Sequence, residues 1–179
     1  MWSRSLRIAA VIALGALNAA CFQPLYASRT VSGTPLGAQL AQVQIERIEA
    51  PNGTPEARIA VELQNAIDFE MNGGGGLISP THSLKVRMTT NRSSVMTDVT
   101  TGRVLAEITG IDANFTLTEL ATGKQVMAGR TFSRVSSEYP GQQQRFARVR
   151  ARLDAEDRAA KVLSENIRTR VASFFIAGS

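Results

Sequence analysis

The sequence has 179 residues, of which 44% are hydrophobic and 20% are charged. This composition is typical of a globular domain and excludes a disordered chain. The formal net charge is +5, a modest basic excess that fits either a soluble surface or attraction to anions. Cys21 is the single cysteine, so an internal disulfide is excluded.

The first 20 residues have the pattern of a secretory signal. Arg4 and Arg7 precede ten residues, 8–17, that carry no charge, and small residues follow. Ten residues are too few to cross a bilayer core, which needs about 20. We therefore expect residues 1–20 to direct export and to be removed. Removal of the two arginines leaves a formal charge of +3. Outside the cytoplasm, phosphorylated lipid or an acidic partner is then a more natural target than nucleic acid.

Two kinds of cleavage are compatible with the residues before Cys21. A soluble-secretory cut after Ala20 places Asn18 where a small residue is preferred. A lipoprotein cut leaves Cys21 as the new N-terminus and acylates it. A lone cysteine in an oxidising compartment has no internal partner, which favours lipidation by a diacylglycerol and an N-acyl chain. No other cofactor is expected. Residues 21–40 then form the lipidated N-terminus and a tether, and residues 41–177 form a single domain.

The first elements of that domain are a short strand and a helix. Val43, Ile45 and Ile48 predict the strand. Thr54 followed by Pro55 is a typical helix start, and apolar residues at helical spacing continue to about residue 71. Asn72 and Gly73 end the helix, followed by a glycine run to residue 76 without the lysine of a phosphate-binding loop.

Three strands separated by glycine turns follow, over residues 84–99, 104–117 and 125–135, and predict an antiparallel meander. In the second, the apolar residues change parity at Gly110, which predicts a β-bulge. In the third, we expect the apolar parity of Val126, Ala128 and Phe132 to face the core. The other face of the sheet is expected to be polar and partly basic.

The end of the chain predicts one long helix, with an apolar stripe from Phe146 to Phe174. The element order is strand, helix, three strands, helix. The expected fold class is therefore α+β: a two-layer sandwich of two helices packed on a mainly antiparallel four-stranded sheet.

Two stretches resemble a known family. Residues 21–26, with the sequence CFQPLY, resemble the mature N-terminus of LptE, the lipopolysaccharide-assembly lipoprotein, although the glycine that often follows its cysteine is absent. Residues 152–160 and 167–170 resemble the last helix of that family. The resemblance implies a lipid-anchored protein at the periplasmic face of the outer membrane. It also implies partnership with the LptD β-barrel and contact with lipopolysaccharide.

Signs of catalysis are absent from the sequence, and we expect a protein that is not an enzyme. His82 is the single histidine and is expected on the surface; no metal-ligand cluster or nucleophile motif is present. Asp154, Glu156 and Asp157 are expected on a solvated helix face. The alternative is a periplasmic enzyme or solute-binding module with an unrecognised site. The candidate lipopolysaccharide-binding residues are basic side chains of the strands and turns: Lys85, Arg87, Arg92, Arg103, Lys124 and Arg134.

Overall fold

The computed structural model describes residues 30–76, 79–139 and 145–178. Cys21 and the secretory signal lie outside these ranges. The helices are α1 (Leu36–Leu40), α2 (Pro55–Asn72) and α3 (Arg145–Ala177). The strands are β1 (Val43–Ile45), β2 (His82–Thr97), β3 (Val104–Glu119) and β4 (Gln125–Glu138).

The four strands form one sheet in the order β1-β2-β3-β4. Strand β1 is parallel to β2, because α2 carries the chain back across the sheet between them. The three long strands form the predicted antiparallel meander. Helices α2 and α3 pack on one face of this sheet. The predicted α+β class and mainly antiparallel sheet are confirmed.

Helix α1 lies in the stretch for which the sequence predicted a tether. Its side chains Leu36 and Leu40 are buried in the core. They are spaced four residues apart, so both lie on the same side of even this short helix. Just before it, the backbone N–H of Val31 donates to the carbonyl of Phe175 at 3.2 Å. Residues 30–40 therefore belong to the folded unit, and the expected tether reaches too far along the chain.

Helix α2 begins and ends where its sequence predicted. The hydroxyl of Thr54 accepts a hydrogen bond from the N–H of Ala57 at 3.3 Å, and Pro55 stands at the first helical position. Gly73 ends the helix with a φ of 65°, a left-handed conformation that glycine adopts without a steric penalty. These local signals position α2 across the sheet.

The core lies between the sheet and the two long helices. Leu163, Ile167 and Val171 of α3 are fully buried, as the predicted stripe requires. Its first turns differ from that prediction, because Phe146 is 88% exposed and Val149 is also exposed. The stripe is buried only where α3 lies over α2 and the sheet.

Two predictions about side-chain direction are wrong. The strand register runs without interruption through Gly110, so no bulge is present there, and the register shifts lie near Met96 and Thr118 instead. In β4, the residues that face the helices are Thr131, Ser133 and their alternating neighbours, not Ala128 and Phe132. Because these inward side chains are polar, a prediction based on hydrophobicity does not place them on the core side of the sheet.

Candidate functional site: the outer face of the sheet

The sheet face opposite the helices, here called the outer face, carries side chains from alternate residues of the three long strands. The pairing register aligns them in cross-strand rows. The rows run from β2 through β3 to β4: Lys85 with Thr116 and Ala128, Arg87 with Asn114 and Arg130, Thr89 with Asp112 and Phe132, and Asn91 with Gly110 and Arg134. Four basic side chains therefore share this face.

The basic side chains surround an exposed aromatic ring. Phe132 is 62% exposed, and the guanidinium carbon of Arg134 lies 5.4 Å from its ring centroid, within cation–π distance. The same guanidinium places Nη2 at 2.7 Å from Oδ2 of Asp112, and Nη2 of Arg130 lies 3.5 Å from Oδ1 of that carboxylate. One carboxylate thus faces two guanidiniums. We call Lys85, Arg87, Arg130, Phe132 and Arg134 the basic face.

The two β2 members of the basic face differ in their partners. Lys85 Nζ lies 3.7 Å from Oε2 of Glu46, at the edge of ion-pairing distance. The Arg87 side chain is exposed and makes no hydrogen bond or ion pair with a described residue. Arg87 is therefore the cation of this face most available to a ligand.

Arg92 does not belong to this surface. By its position in the β2–β3 register, Arg92 lies on the sheet face against which the helices pack. Its Nη2 donates to Oε1 of Glu156 at 2.8 Å. The Glu156 side chain is 2% exposed and also pairs with Arg58 of α2, while Arg152 Nε lies 3.9 Å from its Oε1. Arg58 also donates to Asp157 at 2.8 Å. Arg92 is thus a structural residue, and the expected solvated position of Glu156 is wrong.

The turn candidates lie at opposite ends of the sheet. Arg103 follows the β2–β3 turn, where its carbonyl accepts from the N–H of Asp98 at 2.8 Å. Lys124 lies in the β3–β4 turn, at the other end of β3. Sixteen residues of β3 separate the two turns, about 50 Å at a rise of about 3.3 Å per residue. One compact ligand cannot contact both. The predicted set therefore divides into Lys85, Arg87 and Arg134 on the basic face and three residues elsewhere.

Arg130 was not among the predicted basic residues of the site, and Phe132 was predicted to face the core. A usable signal was present, because Arg130 and Arg134 have the same parity as Phe132, and two charged residues seldom share a strand face with the core. A prediction that gave charge priority over hydrophobicity would have placed all three side chains on the outer face.

His82 lies at the start of β2, half-buried and not on an open surface. Its ring packs edge-on against Phe175, with centroids 5.1 Å apart, and its Nδ1 lies 2.9 Å from the Thr81 hydroxyl oxygen. Burial lowers the pKa of His82, and the charge of Glu119 acts in the opposite direction. These neighbours make it a packing residue at the end of α3.

Two features are absent from the described ranges. Residues 30–76, 79–139 and 145–178 contain no group of three or more histidine, cysteine or carboxylate side chains placed to hold a metal. None of the helices in these ranges is both long and apolar enough to cross a membrane.

Comparison with known proteins identifies the fold. Neither a family model nor a curated protein matches the chain. A protein assigned to the lipoproteins in Caulobacter crescentus CB15 superposes with a TM-score of 0.58 over 80% of this chain and 97% of its own, at 19% identity. The chain has the fold of a bacterial lipoprotein. A Xanthomonas campestris protein of family DUF330 shares this fold, with a TM-score of 0.51, 12% identity, and coverage of 77% of this chain and 88% of its own.

Proposed function

We propose that this protein is a lipid-anchored lipoprotein of the outer membrane that partners an LptD β-barrel in the assembly of lipopolysaccharide. Its role in this proposal is binding, not catalysis. The CFQPLY sequence at residues 21–26 and the lipoprotein fold support an anchored protein of the LptE type. The anchor is the acylated Cys21, at the periplasmic face of the outer membrane.

The basic face is the observation that carries the lipopolysaccharide part of the proposal. Lipid A combines phosphate groups with acyl chains, and this face combines cations with an exposed phenyl ring. Arg87 and Lys85 can form charge-assisted hydrogen bonds to phosphate oxygens. Phe132 offers apolar contact beside them. Such a surface suits an amphiphilic anion better than it suits a purely polar one.

Co-purification tests the partnership. The full-length protein, carrying a C-terminal tag and extracted in detergent, should bring down a large heat-modifiable β-barrel. The Cys21→Ser variant controls for membrane attachment. Recovery of the protein alone, under conditions that keep outer-membrane barrels folded, would overturn the partnership.

A charge reversal on the basic face tests lipopolysaccharide contact. Arg87→Glu should weaken binding of purified lipopolysaccharide to the full-length protein about tenfold or more, because a charged hydrogen bond is worth about 1.5–3 kcal/mol. Arg170→Glu is the matched control, since Arg170 is exposed on α3, away from the basic face, and the net charge changes equally. An equal loss of lipopolysaccharide binding in both variants would show that only the net charge of the protein matters. Unchanged binding with Arg87→Glu would remove the basic face from the proposal.

A further inference from the structure

Strand β4 is the last strand of the sheet, with β3 on one side and, among the described residues, no strand on the other side, which we call the open edge. In an antiparallel pair, successive residues direct their backbone groups alternately toward the partner strand and away from it. The N–H of Tyr139 donates to the carbonyl of Leu105 in the β3 direction, at 2.8 Å. Odd-numbered residues of β4 therefore pair with β3, and even-numbered residues direct their N–H and C=O groups to the edge.

Helix α3 covers one end of this edge. Nη2 of Arg158 donates to the carbonyl of Ser136 at 3.3 Å, which independently shows that an even-numbered carbonyl points outward. The remaining outward positions are Ala128, Arg130, Phe132 and Arg134, and their backbone groups have no hydrogen-bond partner among the described residues. All four residues are exposed. The open edge thus presents four donors and four acceptors in the spacing that an added strand requires.

Charge argues for the kind of strand that fits. The side chains of the four open positions lie on the outer face, so a strand added at the edge would place its own side chains beside them. The Arg130 side chain is 69% exposed and lies 3.5 Å from Oδ1 of Asp112, whose other oxygen, Oδ2, pairs with Arg134. Phe132 lies midway between the two arginines. Acidic side chains four positions apart, with an apolar one between them, complement this pattern.

A second copy of the chain complements it poorly. Antiparallel pairing of two β4 strands would bring the Arg130 and Arg134 of both copies onto one face. Only the two copies of Asp112 would be there to neutralise four guanidiniums. Like charges on neighbouring strand positions are destabilising.

We propose that the open edge of β4 from Ala128 to Arg134 binds an extended segment of a partner protein by β-strand addition. The segment carries acidic residues four positions apart and an apolar residue midway. Backbone hydrogen bonds supply affinity, and Arg130, Phe132 and Arg134 select the segment by its alternate side chains. This inference does not depend on lipopolysaccharide binding.

Amide hydrogen exchange of the full-length protein, measured by NMR in detergent, tests the proposal. The probe is a seven-residue peptide of threonine with glutamate at its second and sixth positions and valine at its fourth. Binding should slow exchange about tenfold or more at the amides of Ala128, Arg130, Phe132 and Arg134. The amides of Thr131 and Ser133, which already pair with β3, should change little. The same peptide with lysine in place of glutamate should protect none of them.

Two variants distinguish peptide binding at the open edge of β4 from binding elsewhere on the basic face. Arg130→Glu should abolish protection by the acidic peptide. Arg87→Glu should preserve it, because Arg87 lies in the same row but two strands inward, about 10 Å away. Equal protection by the lysine peptide, or no protection by the acidic one, would overturn the proposal. Protection that appears without peptide and increases with protein concentration would assign the edge to a second copy and also overturn it.

Discussion

Arg92 and Glu156 form an ion pair between the sheet and helix α3, with Nη2 and Oε1 2.8 Å apart. The carboxylate is almost fully buried, and Arg58 and Arg152 lie on its other sides. Three guanidiniums from α2, β2 and α3 therefore surround one buried negative charge. This cluster joins helices α2 and α3 to strand β2 of the sheet.

Removal of that charge should destabilise the fold strongly. Glu156→Ala leaves three guanidiniums without their shared partner, and breaking a buried ion pair costs about 3–5 kcal/mol. Asp154→Ala is the control, because Asp154 pairs with Arg158 at 2.8 Å on the exposed side of the same helix. That substitution should cost less than about 1 kcal/mol. Urea denaturation measures both, and similar midpoints would contradict a structural role for the cluster.

Gly129 should tolerate no side chain. A Cβ atom there would lie 2.5 Å from Cζ of the buried Phe115, closer than real contacts allow. The ring is held in the core, so Gly129→Ala should cost about 1–3 kcal/mol through overpacking. At Gly37, within α1, an added Cβ meets nothing within 4 Å, and Gly37→Ala should be neutral or stabilising by up to about 1 kcal/mol. Equal effects on the thermal midpoint would refute the predicted clash.

His82 should make stability depend on pH. Its pKa is lowered in the folded state by burial, so the unfolded chain takes up the proton at higher pH than the folded one. The contribution is fully present above the unfolded pKa near 6.5 and is lost as pH falls through the folded pKa. His82→Gln should flatten the fall in unfolding free energy between about pH 7.5 and pH 5. An unchanged slope would show that carboxylates dominate this window.

Cys21 should carry the lipid. Intact-mass measurement of the membrane-extracted protein should show a chain that begins at Cys21 with added acyl mass, and Cys21→Ser should abolish that addition. A mature wild-type chain without acyl mass would refute the anchor and leave the soluble-secretory alternative. The hydropathy and charge of residues 1–20 predict export in either case, so they do not distinguish a lipoprotein from a soluble secreted protein.

The elements that could be predicted were those fixed by local chemistry. The Thr54 hydroxyl, the Pro55 ring and the glycine at 73 act within one turn of their own backbone, so their residue types state their roles. Alternation in β2 was equally clear, because the buried Leu84 and Val86 alternate with the exposed, charged Lys85 and Arg87. These signals were sufficient for the α+β class and the meander.

What could not be predicted depends on partners distant in sequence. Glu156 looks like a solvated carboxylate until α2 brings Arg58 to it from 98 residues away and β2 brings Arg92 from 64 residues away. Phe132 looks like a core residue because polar Thr131 and Ser133 take the inward positions. In the candidate site, the outward positions of Lys85 and Arg87 followed from the alternation of β2. The outward position of Arg134 did not follow from the parity predicted for β4, and the role of Arg92 required knowledge of what packs opposite it.

The hydrogen bond from Val31 to Phe175 sets the direction in which an anchored molecule would extend. Only eight residues lie between Cys21 and Thr30, so these two residues are at most about 30 Å apart even in a fully extended chain. The attachment lies at the carboxyl end of α3, beside the start of β2. The β2–β3 turn lies at the other end of the strands, about 50 Å further along β3. If Cys21 is acylated, the protein would therefore be attached to the membrane at one end of the sheet. The β2–β3 turn would then be the part of the domain furthest from the attachment.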